Sequence, residues 1–140
     1  MKRCFSITSI ACLIAFLAST AFQNRQGGLT ESIKRGKEVY TQYCLACHQA
    51  DGSGVPRLNP PLIKTKWVLG DKPTLIGVIL KGMEEEIEVD GEIYQNTMPE
   101  HNFLTDLQIA DVLTYVRNSF TNKASAITPA EVKTERSKMK

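Results

Sequence analysis

The chain has 140 residues, with 17 Lys+Arg against 15 Asp+Glu, 42% hydrophobic residues and four cysteines. That length suits one domain, and the composition lacks both the charge blocks of a disordered chain and the cysteine density of a stapled miniprotein. A formal charge of +2, with no basic run interleaved with aromatics, argues against a nucleic-acid binder.

Lys2 and Arg3 precede an unbroken apolar run from Ile10 to Ala18, and Ser19 and Ala21 then place small residues two apart. This reads as an export signal over residues 1–21, cleaved after Ala21. The competing reading is an uncleaved membrane anchor from Cys4 to Phe22. A lipid attachment at Cys12 fits less well, because Ser9 replaces the expected apolar residue and an apolar run follows. Cleavage removes two cations and no anion, leaving 119 residues, 15 charges of each sign, and only Cys44 and Cys47. The expected location is the periplasm or another exported compartment. A disulfide between residues three apart would shorten the unfolded chain's loops very little.

Residues 22–29 read as a polar, mobile leader. Thr30 can cap a helix starting at Glu31, with Ile33, Val39, Tyr40 and Tyr43 as its apolar stripe. Residues 49–62 hold two glycines and three prolines and are expected to be loop. A short helix follows from Pro73 to Leu80, ended by Gly82. Ile87 and Val89 alternate with glutamates before Asp90-Gly91, and Ile93 continues beyond, which predicts a two-stranded ribbon. Thr105 with Gln108 forms a capping box for the clearest helix, whose apolar face is Ile109, Val112, Leu113, Val116 and Phe120. Thr128, Pro129 and Glu131 predict one more helix start, with Ile127 and Val132 placed as a hydrophobic staple. Its many charges suggest a peripheral, frayed element.

Cys44-Leu45-Ala46-Cys47-His48 carries the chemistry. Residues three and four apart share a helix face, so both thiols and the imidazole can point one way. Two thiols can then form thioethers with the vinyl groups of a haem while His48 reaches its iron, the attachment pattern of c-type haem. A closed zinc site would need four ligands, and His101 is the one further histidine. A thioredoxin-like pair would want a strand before the cysteines and a longer helix after them. A structural disulfide leaves His48 unexplained. For the second axial position, Met98-Pro99 is the best candidate, because a residue before proline is biased toward extended backbone. Met83 is read as a filler of apolar gaps, Met139 as part of the charged tail, and His101 as a solvated loop histidine.

The sequence resembles class I monohaem bacterial cytochrome c over about residues 30–120. Gly36 and Tyr40 stand eight and four positions before Cys44, as the family's glycine and aromatic do. Val112 and Tyr115 look like the paired residues of its closing helix; their expected role is packing. The resemblance implies a mainly α cytochrome c fold around one covalent haem, with a small hairpin before the methionine loop and residues 121–140 as an extension. It places the axial methionine in a Met-Pro loop, in agreement with Met98, and gives the carbonyl of Pro60 the role of orienting His48. Pro61 stands where the family carries asparagine. Leu58 and Leu62 would line the pocket. Trp67 can pack on the haem or bond a propionate, and Tyr94 can approach Met98, although plain core packing explains both aromatics equally well.

With His48 and Met98 on the iron, no position is left for substrate, and the expected function is one-electron transfer between redox proteins, without turnover. Alternatives are an electron-entry subunit of a larger dehydrogenase or oxidase, and a haem enzyme or gas sensor whose sixth ligand is displaced. Glu84, Glu85, Glu86, Glu88, Asp90 and Glu92 concentrate negative charge on the ribbon. They read first as a solvated face that protects its edges, and second as a surface that steers a basic partner.

Overall fold

The first and fifth helices of the chain cross at Gly36, where a side chain has no room. The computed structural model describes residues 28–139. Its described helices are α1 (residues 28–43), α2 (Leu45–His48), α3 (Lys66–Leu69), α4 (Lys72–Lys81), α5 (Asp106–Asn118) and α6 (Pro129–Ser137), with strands β1 (Ile87–Val89) and β2 (Glu92–Tyr94) between α4 and α5. Of the N-terminal unit that ends at Glu31, the described residues 28–31 are helical; the unit Ser32–Lys140 carries everything else. Helix is already present at residue 28, so Thr30 lies inside it and does not cap it. Residues 28 and 29 are helical where a mobile leader was expected. The signal segment, its cleavage point and the rest of the leader lie outside the described residues.

At the crossing, a Cβ on Gly36 would meet the backbone carbonyl of Asp111 and the Cβ of Tyr115. Arg35 grips the buried Asp111 carboxylate with two bonds of 2.6 and 2.9 Å, and Ser32 donates a third at 2.6 Å. Tyr40 is almost fully buried beside this contact, its ring 5.3 Å from Tyr115 and 5.4 Å from Phe120. Phe120 lies beyond the end of α5, not on its face; the chain turns at φ 54° there and folds the ring back onto Tyr40.

Local chemistry accounts for the element ends. Asp71 caps α4 by accepting from the Thr74 amide, and Thr65 caps α3 by accepting from Val68. Gly82 ends α4 at φ 72°, and a Cβ there would meet the Met98 carbonyl. Strands β1 and β2 pair antiparallel, Ile87 opposite Tyr94 and Val89 opposite Glu92. Asp90 and Gly91 both take positive φ, as a two-residue hairpin turn of matching twist requires. The capping boxes of α5 and α6 are both formed, Thr105 with Gln108 and Thr128 with Glu131.

Helix α6 corrects the sequence reading of a peripheral tail. Val132 is completely buried and Ile127 nearly so, and both belong to the core formed with α4 and α5. The Thr114 hydroxyl donates to the Ile127 carbonyl and accepts from its amide, at 3.2 and 3.0 Å. Lys72 ties the start of α6 to α4 by bonding the Ala126 carbonyl and the Glu131 carboxylate. Each buried aliphatic side chain contributes about 1.5–3 kcal/mol, more than exposed charges on the outer face can offset. Arg117 is also buried, its guanidinium satisfied by the carbonyls of Val68, Gly70 and Ser125, so that α5 holds the end of α3 in place.

Candidate functional site

The cysteine–histidine motif falls where the turn after α1 becomes α2. Cys44 is the residue before α2, and its amide bonds Tyr40 O, which continues the run of α1. The amides of Cys47 and His48 both donate to Cys44 O, at 3.2 and 2.9 Å. This single helical turn puts Cys44, Cys47 and His48 on the wall of one cavity. Both cysteines are free thiols. Burial, with a smaller contribution from Cys47, pushes the Cys44 thiol up to about 11, so it is protonated at neutral pH.

His48 Nδ1 lies 3.0 Å from the carbonyl oxygen of Pro60. With Nδ1–H donated there, Nε2 is the ring nitrogen with a free lone pair. Burial depresses the imidazole's pKa, against the opposing pull of the Pro60 bond, and so favours the neutral form that ligates metals. Loop 49–62 can supply Pro60 because it is tied at several points. Val55 and Asn59 bridge each other, Leu62 N–H donates to Gly52 O, and Asn122 bonds the Leu62 carbonyl and the Lys64 amide.

All eight residues singled out from sequence line the same cavity: Cys44, Cys47, His48, Pro60, Leu62, Trp67, Tyr94 and Met98. Its empty space is about 1190 Å³, counting the open side. Leu58, also expected in the lining, is instead half exposed at the tip of the Val55–Asn59 turn, which directs it outward.

One further residue of the wall was misplaced by sequence. His101 was read as a solvated loop histidine, yet it is buried, with its ring packed 6.5 Å from Tyr43 and 5.8 Å from Phe103. Its amide donates to Ile79 O at 2.8 Å, which pulls the residue inward. Met83 also lines the cavity. Asn59 and Asn96 were not foreseen; the Asn96 amide donates to Asn59 at 2.7 Å and links the Pro60 loop to the Met98 loop.

A c-type haem fits this donor set. The cavity offers two thiols, an oriented imidazole and two thioethers, Met83 and Met98, on walls that are otherwise largely apolar. Among the described residues, Trp67 Nε1 and His101 Nδ1 are the buried side-chain polar atoms without a hydrogen-bond partner. Such orphaned groups are costly unless a bound group satisfies them. Trp67 Nε1, a donor only, suits a carboxylate oxygen of the kind a haem propionate carries.

Comparison with known proteins gives the same result. The family model for cytochrome c matches residues 33–120. Cytochrome c-552 of Thermus thermophilus is 31% identical over 135 residues, covering 81% of this chain and 90% of the relative. The cytochrome c subunit of a quinone-dependent alcohol dehydrogenase from Gluconacetobacter polyoxogenes is 36% identical over 110 residues, covering 75% of this chain but 23% of that subunit. The gluconate 2-dehydrogenase cytochrome c subunit of Pantoea cypripedii is 36% identical over 102 residues, covering 69% and 22%. With residues 33–120 matched, and a cavity walled by two thiols, an oriented imidazole and two thioethers, the chain belongs to the cytochrome c family and is an electron carrier of the c-type haem class.

Proposed function

We propose that this chain is an exported one-electron carrier with a single covalent haem, held through Cys44 and Cys47 and ligated axially by His48 and Met98. The observation that carries the reading is the pairing of His48 Nδ1 with the Pro60 carbonyl in a cavity that Met98 also lines. When bound, the haem iron supplies the redox change. His48 and Met98 would together hold the iron and leave no position for substrate, so the chain would carry electrons with no turnover of its own. Methionine in place of a second histidine raises the potential. The apolar lining would limit water entry, and the unpartnered Trp67 Nε1 would donate to a propionate. Cys47 is exposed, which supports electron exchange at that edge with a redox protein partner.

Residues 1–21 are read as the export signal that delivers the chain to the periplasm. Among the described residues, no helix is long and apolar enough to cross a membrane. A reduced-minus-oxidised spectrum of the exported protein, together with its intact mass, tests haem type, covalent attachment and cleavage. A mass without added haem, or a ferric protein without a sulfur–iron charge-transfer band, overturns the corresponding part.

A second reading is an electron-entry subunit of a larger dehydrogenase. It is supported by the likeness to the dehydrogenase cytochrome c subunits. Copurification of a large dehydrogenase from native cells selects this reading over a free shuttle.

A further inference from the structure

We propose that Arg136, near the end of the chain, is a positioning residue for Met98 and holds the methionine loop closed over the cavity. This rests on the reading of Met98 as the sixth ligand. All three guanidinium nitrogens are spent on the segment that follows Met98. Nε donates to Asp106, Nη1 to the Asn102 carbonyl and Nη2 to the Leu104 carbonyl, each at 2.7 Å. Charge-assisted bonds of this kind are about twice as strong as neutral ones, and the planar fork reaches three acceptors that a lysine could not.

The anchor behind the fork is rigid. Arg136 lies four residues after the fully buried Val132, on the same face of α6. Upstream, the loop is fixed by the reciprocal bridge of Met98 to Met83 and by the His101 amide on Ile79 O. Between His101 and the start of α5, Arg136 bonds the carbonyls of Asn102 and Leu104, while Leu104 N–H donates to His101 O within the loop and Thr105 is held by the capping box of α5. Without the fork, residues 102–106 lose their tie to α6, and the loosening passes back through the His101 and Met98 ties, which alone then hold the thioether over the cavity. Helix α6 thereby acts on the ligand without touching it.

The test compares Arg136→Ala with Lys72→Ala in the full-length haem-loaded protein. Lys72 also tethers α6, through Ala126 and Glu131, but bonds nothing in the Met98 loop. Three readings are taken: the melting of helix, the temperature at which the ferric sulfur–iron band is lost, and carbon monoxide binding to the ferrous form. Arg136→Ala is expected to lose the band well below its helix melt and to raise the open, carbon monoxide-binding fraction roughly tenfold. Lys72→Ala is expected to lower both transitions together. Coincident transitions in Arg136→Ala, or an equal separation in Lys72→Ala, overturn the proposal. A Met98→Ala protein that keeps the band overturns the ligand reading and this proposal with it. Loss of the band in Met98→Ala with coincident transitions in Arg136→Ala overturns the clamp alone.

Discussion

Met83 and Met98 exchange both of their backbone hydrogen bonds, at 2.9 and 2.8 Å, across an isolated antiparallel bridge. Directly opposed residues in such a bridge carry their side chains on the same face, and both of these line the haem cavity. Two thioethers from positions fifteen apart in sequence therefore stand on one wall, so the choice of ligand must be tested against Met83 by name.

Met98→Ala is expected to keep the haem covalently bound, lose the sulfur–iron charge-transfer band, lower the reduction potential and let the ferrous protein take carbon monoxide. Met83→Ala should keep the band and cost about 1–2 kcal/mol of stability, since the side chain is only partly buried. His101→Ala should also keep it. A band that survives in Met98→Ala and vanishes in Met83→Ala reverses the assignment.

Gly36→Ala is expected to destabilise the crossing of α1 and α5 by about 1–3 kcal/mol or more, because the added methyl meets backbone at the Asp111 carbonyl. Differential scanning calorimetry should show a fall of roughly 5–15 °C in Tm with little change in the visible spectrum. An unchanged Tm would mean that the helices can separate without cost.

Cys44→Ala with Cys47→Ala is expected to leave a largely unfolded apoprotein. The core residues Tyr40, Val68, Leu75, Ile79, Val112, Leu113 and Val116 all face the cavity, so without its occupant much of the apolar interior borders water. Far-UV circular dichroism on heating should show no cooperative transition. A sharp, native-like melt of the double variant contradicts this.

The sequence made legible what is written in short-range chemistry. The Cys44–His48 spacing, the Asp90-Gly91 turn and the boxes at Thr105 and Thr128 are each contained within a few residues, and the ribbon and both capped helices stand as expected. Features set by distant partners were not legible. Helix α3 is four residues long, too short to show a period, and its position depends on Arg117 nearly fifty residues later. His101 is buried by Tyr43 and Ile79, neither near it in sequence. Helix α6 has one completely buried side chain among many charges, so its pattern resembled a solvated tail although Val132 is core. The Arg136 fork could not be read at all, because two of its three acceptors are backbone carbonyls, which any residue carries.

Acid should selectively weaken the docking of α6 through Glu131. Burial alone would raise the carboxyl's pKa, but hydrogen bonds from Lys72 and from the amide and hydroxyl of Thr128, with the Lys72 charge, outweigh it and leave the group below its ordinary value. The cationic groups facing it are Lys72, from α4, and Arg117, from α5. A depressed carboxyl pKa contributes stability that is fully present above the unfolded value, 4.5, and fades as pH falls through the lower folded value. The side chain is 38% exposed, so solvent screening holds the effect to about 1 kcal/mol or less. Glu131→Gln cannot ionise and so lacks this term at every pH. The variant should melt below the wild type at pH about 7, and the gap should narrow steadily from about pH 5 to about pH 3. Taking the difference between the two proteins cancels acid effects at the haem site, which both share. A gap that stays constant over that range would show that Glu131 acts through packing or neutral hydrogen bonds, and the ionic account of the α6 tether would fail.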